Sequence, residues 1–375
     1  MKKILLKIIL VHFIVLWSCT GNDKNKSFEE LRIDISKVKK LDKFYPTIYA
    51  YEFITLQEDS LIKLGEINKI IFYNDKIYIS DARKSKSVFI YNKEGVLLRT
   101  INRVGRGIGE YTNIRDFNID KLTYDIYILD PQLRKILIYD SKGVFLRDIK
   151  LDFIVSSFII TGKYLIFDKF NMMERAKNEV INNNLLICDR KGKILNGFLP
   201  IDKVLSSYSM GPLNGLKENS NSTISYLPPL SSHIYNYDIS QNKLVNQLHI
   251  DFGLEWPSKG FFKSNQHPAR IVKLMNEKKL INFLNYSEND NFICLGFYHG
   301  TDKIIGYISK DDHTYHLYNA NQATFELLPL STDRNGNFVN VIYTELIDNW
   351  EQFKLSVPEN IKNNKSIVLF KYSFK

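Results

Sequence analysis

The stretch IYISDARKSKSVFIYNKEGVLLRTI (77–101) returns as IYILDPQLRKILIYDSKGVFLRDI (126–149) and, after an insertion, as LLICDRKGKIL ending at Leu195. The turn glycines of the three copies, Gly95, Gly143 and Gly192, are 48 and 49 residues apart. A fixed period of this length means stacked or radially arranged units. Within a unit, apolar bursts are separated by Gly, Asn, Asp and Lys, which is the pattern of short antiparallel strands joined by tight turns. The second unit predicts four strands, at 115–119, 125–130, 135–139 and 144–151. Four short strands in each period of this length describe a propeller blade.

The register continues outward. Asp140 and Asp189 are 49 residues apart, and Asp238 follows after another 49, marking a fourth unit. A fifth is expected over 291–319, from NFICLGFYH, KIIGYIS and TYHLYNA. A sixth would use TFELLPL (324–330), GNFVNVIY (336–343) and IVLFKYSF (367–374), completed by the N-terminal strand YAYEFITL (49–56). Pairing the two chain ends would remove the open edges of the ring. The fold class is therefore all-β, a six-bladed β-propeller of four-stranded antiparallel blades occupying 45–375 as one domain. A helical insertion is expected near 259–281, where Ile271, Leu274, Met275 and Leu280 follow helical spacing. The stretch 208–229 reads as a loop.

The N-terminus reads as an address. Lys2, Lys3 and Lys7 precede the apolar run 8–17, in the layout of a signal peptide over 1–18. That run is too short to span a bilayer comfortably. It ends in Leu16-Trp17-Ser18-Cys19, which resembles the bacterial lipobox; that resemblance implies lipidation of Cys19. Residues 19–44 read as a lipidated tether and linker, polar at first and without apolar periodicity. The expected location is the cell envelope, on the periplasmic or outer-membrane face. Only Asp23 is acidic just after Cys19, so surface display gains no support.

The formal charge is +10, and +7 without residues 1–18. The lysines are scattered through turn tips such as Lys84, Lys93, Lys142 and Lys191 rather than gathered on one stripe, which argues against a nucleic-acid partner. Cys188 and Cys294 sit in apolar strand patterns and read as buried thiols, although their spacing leaves a disulfide open.

With the lipobox, the repeat and the loop Gly105-Arg106-Gly107-Ile108-Gly109-Glu110-Tyr111 assembled, the chain resembles the six-bladed β-propeller lipoproteins of Bacteroidota, relatives of NHL-repeat propellers. The resemblance implies fold and compartment, and no agreed activity. The three glycines superficially suit a nucleotide loop, but a dinucleotide fingerprint needs a helix after it and a parallel sheet around it. A tight inter-blade turn using glycine at positive φ is the better reading.

Arg103, Arg106, Tyr111 and Arg115 cluster in and after this loop and form the candidate ligand-binding set, since forked guanidinium groups suit carboxylate or sulfate. The competing reading is that Glu110 and Asp116 simply pair with these arginines, or that water solvates them. No metal site is expected: His299, His313 and His316 are close in sequence, but residues three apart on a strand face opposite ways, and no zinc spacing appears. Asp81, Asp130, Asp168 and Asp189 recur at turns, which argues for blade structure rather than a catalytic pair. No nucleophile elbow is present, and no cofactor is expected. The reading is a non-enzymatic, lipid-anchored propeller that binds a protein partner or glycan-like ligand through loops on one face. The alternative is a lyase or hydrolase acting on carbohydrate or peptide at the channel mouth.

Overall fold

Consecutive residues of a strand face opposite ways, so a blade buried on both sides carries apolar residues in unbroken runs. The central strands Lys76–Asp81, Ser87–Asn92, Ile126–Asp130 and Lys135–Tyr139 are of this kind, buried along almost their whole length. In the computed structural model, which describes residues 29–375 apart from 176–178, 209, 213, 219–222, 266, 348 and 354, these runs build six sheets of four strands. They are blade 1 (69–101), blade 2 (116–150), blade 3 (157–200), blade 4 (216–251), blade 5 (281–319) and blade 6 (331–374). The signal segment, Cys19 and the tether to Ser27 lie outside the described residues.

The innermost strands surround one axis, with Lys69–Tyr73 of blade 1 beside both Asp116–Ile119 of blade 2 and Ser331–Thr332 of blade 6. There is accordingly no single core but a set of apolar wedges between neighbouring blades. Tyr78, Val88 and Ile90 face Phe117, Ile128 and Leu137 of blade 2. The alternate residues Ile77, Ile79, Phe89 and Tyr91 face Val339 and Leu369 of blade 6. The ring closes as expected from the sequence: Ile48–Thr55 pairs antiparallel with Ile367–Phe374 as the outer strand of blade 6, with Phe53 stacked on Phe370 at 5.2 Å.

The recurring turn has a common chemistry. Asn92, Asp140 and Asp189 each accept two backbone N–H groups through one side-chain oxygen, at 2.8–3.1 Å, and the glycine that follows sits at φ 86°, 77° and 86° respectively. Asp189 thus belongs with Asn92 and Asp140. The sequence grouping of Asp189 with Asp81, Asp130 and Asp168 is corrected, because those three end the second strand of their blades, at the opposite end of the sheet.

The stretch 208–229, expected as a loop, is corrected: it supplies the two inner strands of blade 4, Leu216–Glu218 and Thr223–Tyr226. Three further differences have physical causes. The segment 324–330 is not a strand; Pro329 cannot donate to a ladder, and the inner strand of blade 6 shrinks to Ser331–Thr332. The insertion holds two helices, Lys259–Ser264 and Pro268–Glu277, the second burying Ile271 and Met275 beneath Tyr208 and Met210. Residues 29–44, expected as linker, are packed on the ring. Glu29–Arg32 adds a fifth, parallel strand to Lys243–Asp251 of blade 4, and Lys39 bridges to Tyr318 at the edge of blade 5. Phe44, 2% exposed, then makes edge contacts with Tyr318 and Phe374 at 5.5 and 6.0 Å. This strap holds blades 4, 5 and 6 together. Cys188 and Cys294 are buried free thiols in blades 3 and 5, and burial pushes the Cys188 thiol up to about 12.

Emptying the strap's aromatic anchor tests its contribution. Phe44→Ala is expected to lower stability by about 3–5 kcal/mol, the usual cost of deleting a buried ring, whereas Lys40→Ala on the exposed side of the strap leaves it unchanged; urea denaturation of the two variants checks both.

Candidate functional site

The loops that enter each inner strand and those that join the second and third strands meet at one end of the axial channel. They enclose a cavity of about 610 Å³. Repeated aspartates shape its rim. Asp81 accepts N–H groups of Arg83 and Lys84 on one oxygen and of Gly65 and Ser85 on the other, at 2.8–3.2 Å. Asp130 does the same for blade 2, holding Gln132 and Leu133 with one oxygen and Thr112 and Asn113 with the other, at 2.7–3.2 Å. In each case one carboxylate ties the loop leaving the second strand to the loop entering the first, so the residues facing the cavity are set by buried backbone bonds. Burial opposes ionisation of Asp81, but the N–H donors outweigh it and hold its pKa below the ordinary carboxylate value.

Blade 3 departs from this scheme. Asp168, fully buried, accepts from Phe170 N–H at 2.7 Å and from the Tyr226 hydroxyl at 2.6 Å through one oxygen, and its other oxygen has no protein partner. The loop entering blade 3 is pinned instead by Glu174, which accepts from Ile154 N–H at 2.9 Å and pairs with the buried Lys169. Burial therefore raises the Asp168 carboxyl to about 6, with the Tyr226 hydrogen bond only partly offsetting it.

Asp116 joins three blades. One oxygen takes the Lys69 ammonium of blade 1 at 2.8 Å, and the other accepts Phe158 N–H of blade 3 at 2.9 Å. The competing reading, that Asp116 and Glu110 pair with the arginines, does not hold, because Asp116 is taken up by Lys69 and Glu110 turns back to accept Gly107 N–H at 2.8 Å. Gly109 has the positive φ, 70°, expected of the loop. Gly105 is required for a different reason: a Cβ there would lie 1.9 Å from the Glu110 carboxylate.

The four candidate residues separate. Arg115 lines the cavity, exposed, with Nε and Nη2 donating to Ser156 Oγ at 3.2 and 2.6 Å. No carboxylate pairs with it among the described residues. Arg103 and Arg106 are exposed and line no part of the cavity. Tyr111 is wholly buried, donating to Lys86 and Ile101 carbonyls at 2.9 and 3.1 Å, and burial pushes its hydroxyl up to about 12. Its role is to latch the loop to blade 1.

The rest of the wall was not singled out from the sequence. The Asn113 and Asn214 amides and the rings of Phe325 and Tyr343 line it, as do the pairs Lys69–Asp116 and Arg83–Glu66, the latter at 3.3 Å. Many of these residues stand just before an inner strand, a positional signal that the repeat supplies once the axis is known. Among the histidines, His313 lies on a turn at φ 57° against Glu29, and His316 Nδ1 is 3.1 Å from Lys39 Nζ. Both face the strap.

The family described as 6-bladed beta-propeller, DUF5128, matches residues 21–338, and the chain belongs to it. Among solved structures, an exported protein of Bacteroides fragilis superposes with a TM-score of 0.72 at 18% identity, covering 92% of this chain and 99% of that one. A DUF4221 member from Bacteroides vulgatus gives 0.58 at 9% identity, covering 88% and 97%. These likenesses carry the fold alone. No curated protein matches the sequence. Among the described residues, no helix is long and apolar enough to cross a membrane.

The Asp168 carboxyl makes a signed prediction. Its folded pKa, about 6, lies above the unfolded value near 3.9, so the folded state holds the extra proton between them and stability falls as pH rises through that window. Asp168→Asn is expected to match the wild type near pH 4 and to exceed it near pH 7 by about 3 kcal/mol, as read by urea denaturation at the two pH values.

Proposed function

We propose that this chain is an exported, lipid-anchored binding protein that takes an acidic, glycan-like ligand at the channel mouth. The observation that carries the reading is Arg115: an exposed guanidinium on the wall of a cavity of about 610 Å³, oriented by Ser156 and left without a carboxylate among the described residues. A guanidinium so placed suits the forked recognition of a carboxylate or sulfate. The amides of Asn113 and Asn214 offer donors and acceptors for hydroxyls, and Phe325 and Tyr343 offer ring faces. A concave site of this size suits a small ligand better than a flat protein surface does.

The acids on the wall support binding rather than turnover. Asp116 is held by Lys69, Glu66 by Arg83, and Glu326 by Lys303 at 2.7 Å. Export and anchoring are supported by the basic start, the apolar run and the lipobox-like ending at Cys19, and a similar propeller from Bacteroides fragilis is described as exported. The anchor would hold the ring at the envelope, with the strap from Glu29 as the first part fixed to it.

Calorimetric titration of the detergent-solubilised chain with oligogalacturonates and sulfated glycosaminoglycan fragments tests this reading. Arg115→Ala is expected to weaken binding about 10–100-fold, the value of a charge-assisted hydrogen bond, with Arg106→Ala indistinguishable from wild type. Equal binding by wild type and Arg115→Ala, or equal binding of uncharged oligosaccharides, would remove the proposal.

A further inference from the structure

The channel does not end at the mouth. Lys69, Asn214 and Leu330 line both the mouth and a second cavity of about 190 Å³ beneath it, so the two adjoin along the axis. The deeper walls carry charge, and nearly all of it is paired. Glu218 takes Lys121 at 2.7 Å, Glu288 takes Lys310 at 2.6 Å, and Lys69 is committed to Asp116 at 2.8 Å. The remaining oxygen of Glu288 is buried without a hydrogen-bond partner. Lys217 is the exception. Its strand, Leu216–Glu218, lines the channel, and its ammonium lies 5.9 Å from the Tyr286 ring centroid. Among the described residues no carboxylate pairs with it.

Among the described residues of the channel, then, two cations are left without an ion pair: Arg115 at the mouth and Lys217 below. Lys217 is half-buried, and an ammonium partly withdrawn from water with no carboxylate in ion-pair contact is incompletely compensated, so an ion that entered would offset that cost. Burial, aided by the nearby Lys69 charge and resisted by Glu288 and Asp116, brings the Lys217 ammonium down to about 8.

We infer that the channel beneath the mouth is a second anion subsite with Lys217 as its cation, and that the ligand is an elongated acid carrying two anionic groups, one for each unpaired cation. The subsite stands on its own geometry; the two-headed ligand rests on the channel-mouth reading. An acidic disaccharide has this chemistry, with a carboxylate on each ring and hydroxyls between them for Asn214. Its lower carboxylate would displace water from Lys217 and need no movement of the paired groups around it.

Competitive acetylation of the full chain, followed by peptide mass spectrometry, tests the subsite with inorganic sulfate as probe. Lys217 is expected to acetylate readily in the free protein and about fivefold more slowly in sulfate at several times its dissociation constant, while the exposed Lys142 and Lys191 are unaffected. Protection that persists in Arg115→Ala keeps the subsite even if the mouth reading fails. A Lys217 that does not acetylate in the free chain, or that acetylates equally fast with sulfate, overturns the subsite even if the mouth binds ligand. For the two-headed ligand, the wild type is expected to bind digalacturonate at least tenfold more tightly than galacturonate, and Lys217→Met to lose that preference while keeping its affinity for galacturonate. No preference in the wild type, or one retained in Lys217→Met, overturns it.

Discussion

The structure depends on one pairing, that of Ile48–Thr55 with Ile367–Phe374. A blade is a thin sheet with two apolar faces, and neither is covered by its own chain. Each blade is gripped by its neighbours, so a ring with one joint open would leave one face of the blade on either side of it in water. Pairing strands from the two chain ends makes blade 6 a composite, and the wedge of Ile54, Ile77, Phe89 and Leu369 between blades 6 and 1 becomes equivalent to the others. The strap extends the same logic. By running across blades 4, 5 and 6 before entering the closing strand, it covers edges that would otherwise invite pairing with another chain.

The channel-mouth end of the ring is built from the groups that stabilise it. Asp81 and Asp130 satisfy the backbone of turns that could not otherwise be buried, and so fix the loops on which the channel mouth is built. Asp116 does this across three blades, and because it absorbs Lys69 it leaves Arg115 free. Asp168 shows the cost when the scheme changes. With Glu174 taking over the loop contact, one of its oxygens is stranded and its acidity shifts. The ring spends its buried carboxylates on backbone N–H groups and, among the described residues, leaves Arg115 on the cavity wall without an ion pair.

How much of this could be read in advance follows from the range of each interaction. The Asn or Asp that precedes each turn glycine by three residues acts within five residues of itself, and it recurs with the blade, so the turns of the first three blades and the closing strand were legible, whereas the inner strands of blades 4, 5 and 6 were not. The strap was not, because its anchors are Leu248, Tyr318 and Phe374, more than 200 residues away, and the polar sequence around Phe44 has no periodicity. The candidate arginines were chosen by adjacency, and adjacency failed within the cluster: Tyr111 turned inward as a latch, while Arg115 alone reached the axis.

Repetition along the chain determined the architecture by itself, since short strands apolar on both faces, with a glycine-marked turn every 48 or 49 residues, have few ways to bury those faces. Only the tertiary structure decided which charges are spent and which are left. Ion pairing acts through space over a few ångströms, and Lys69 meets Asp116, Glu288 meets Lys310 and Arg115 forms no ion pair among the described residues because six inner strands converge on one axis.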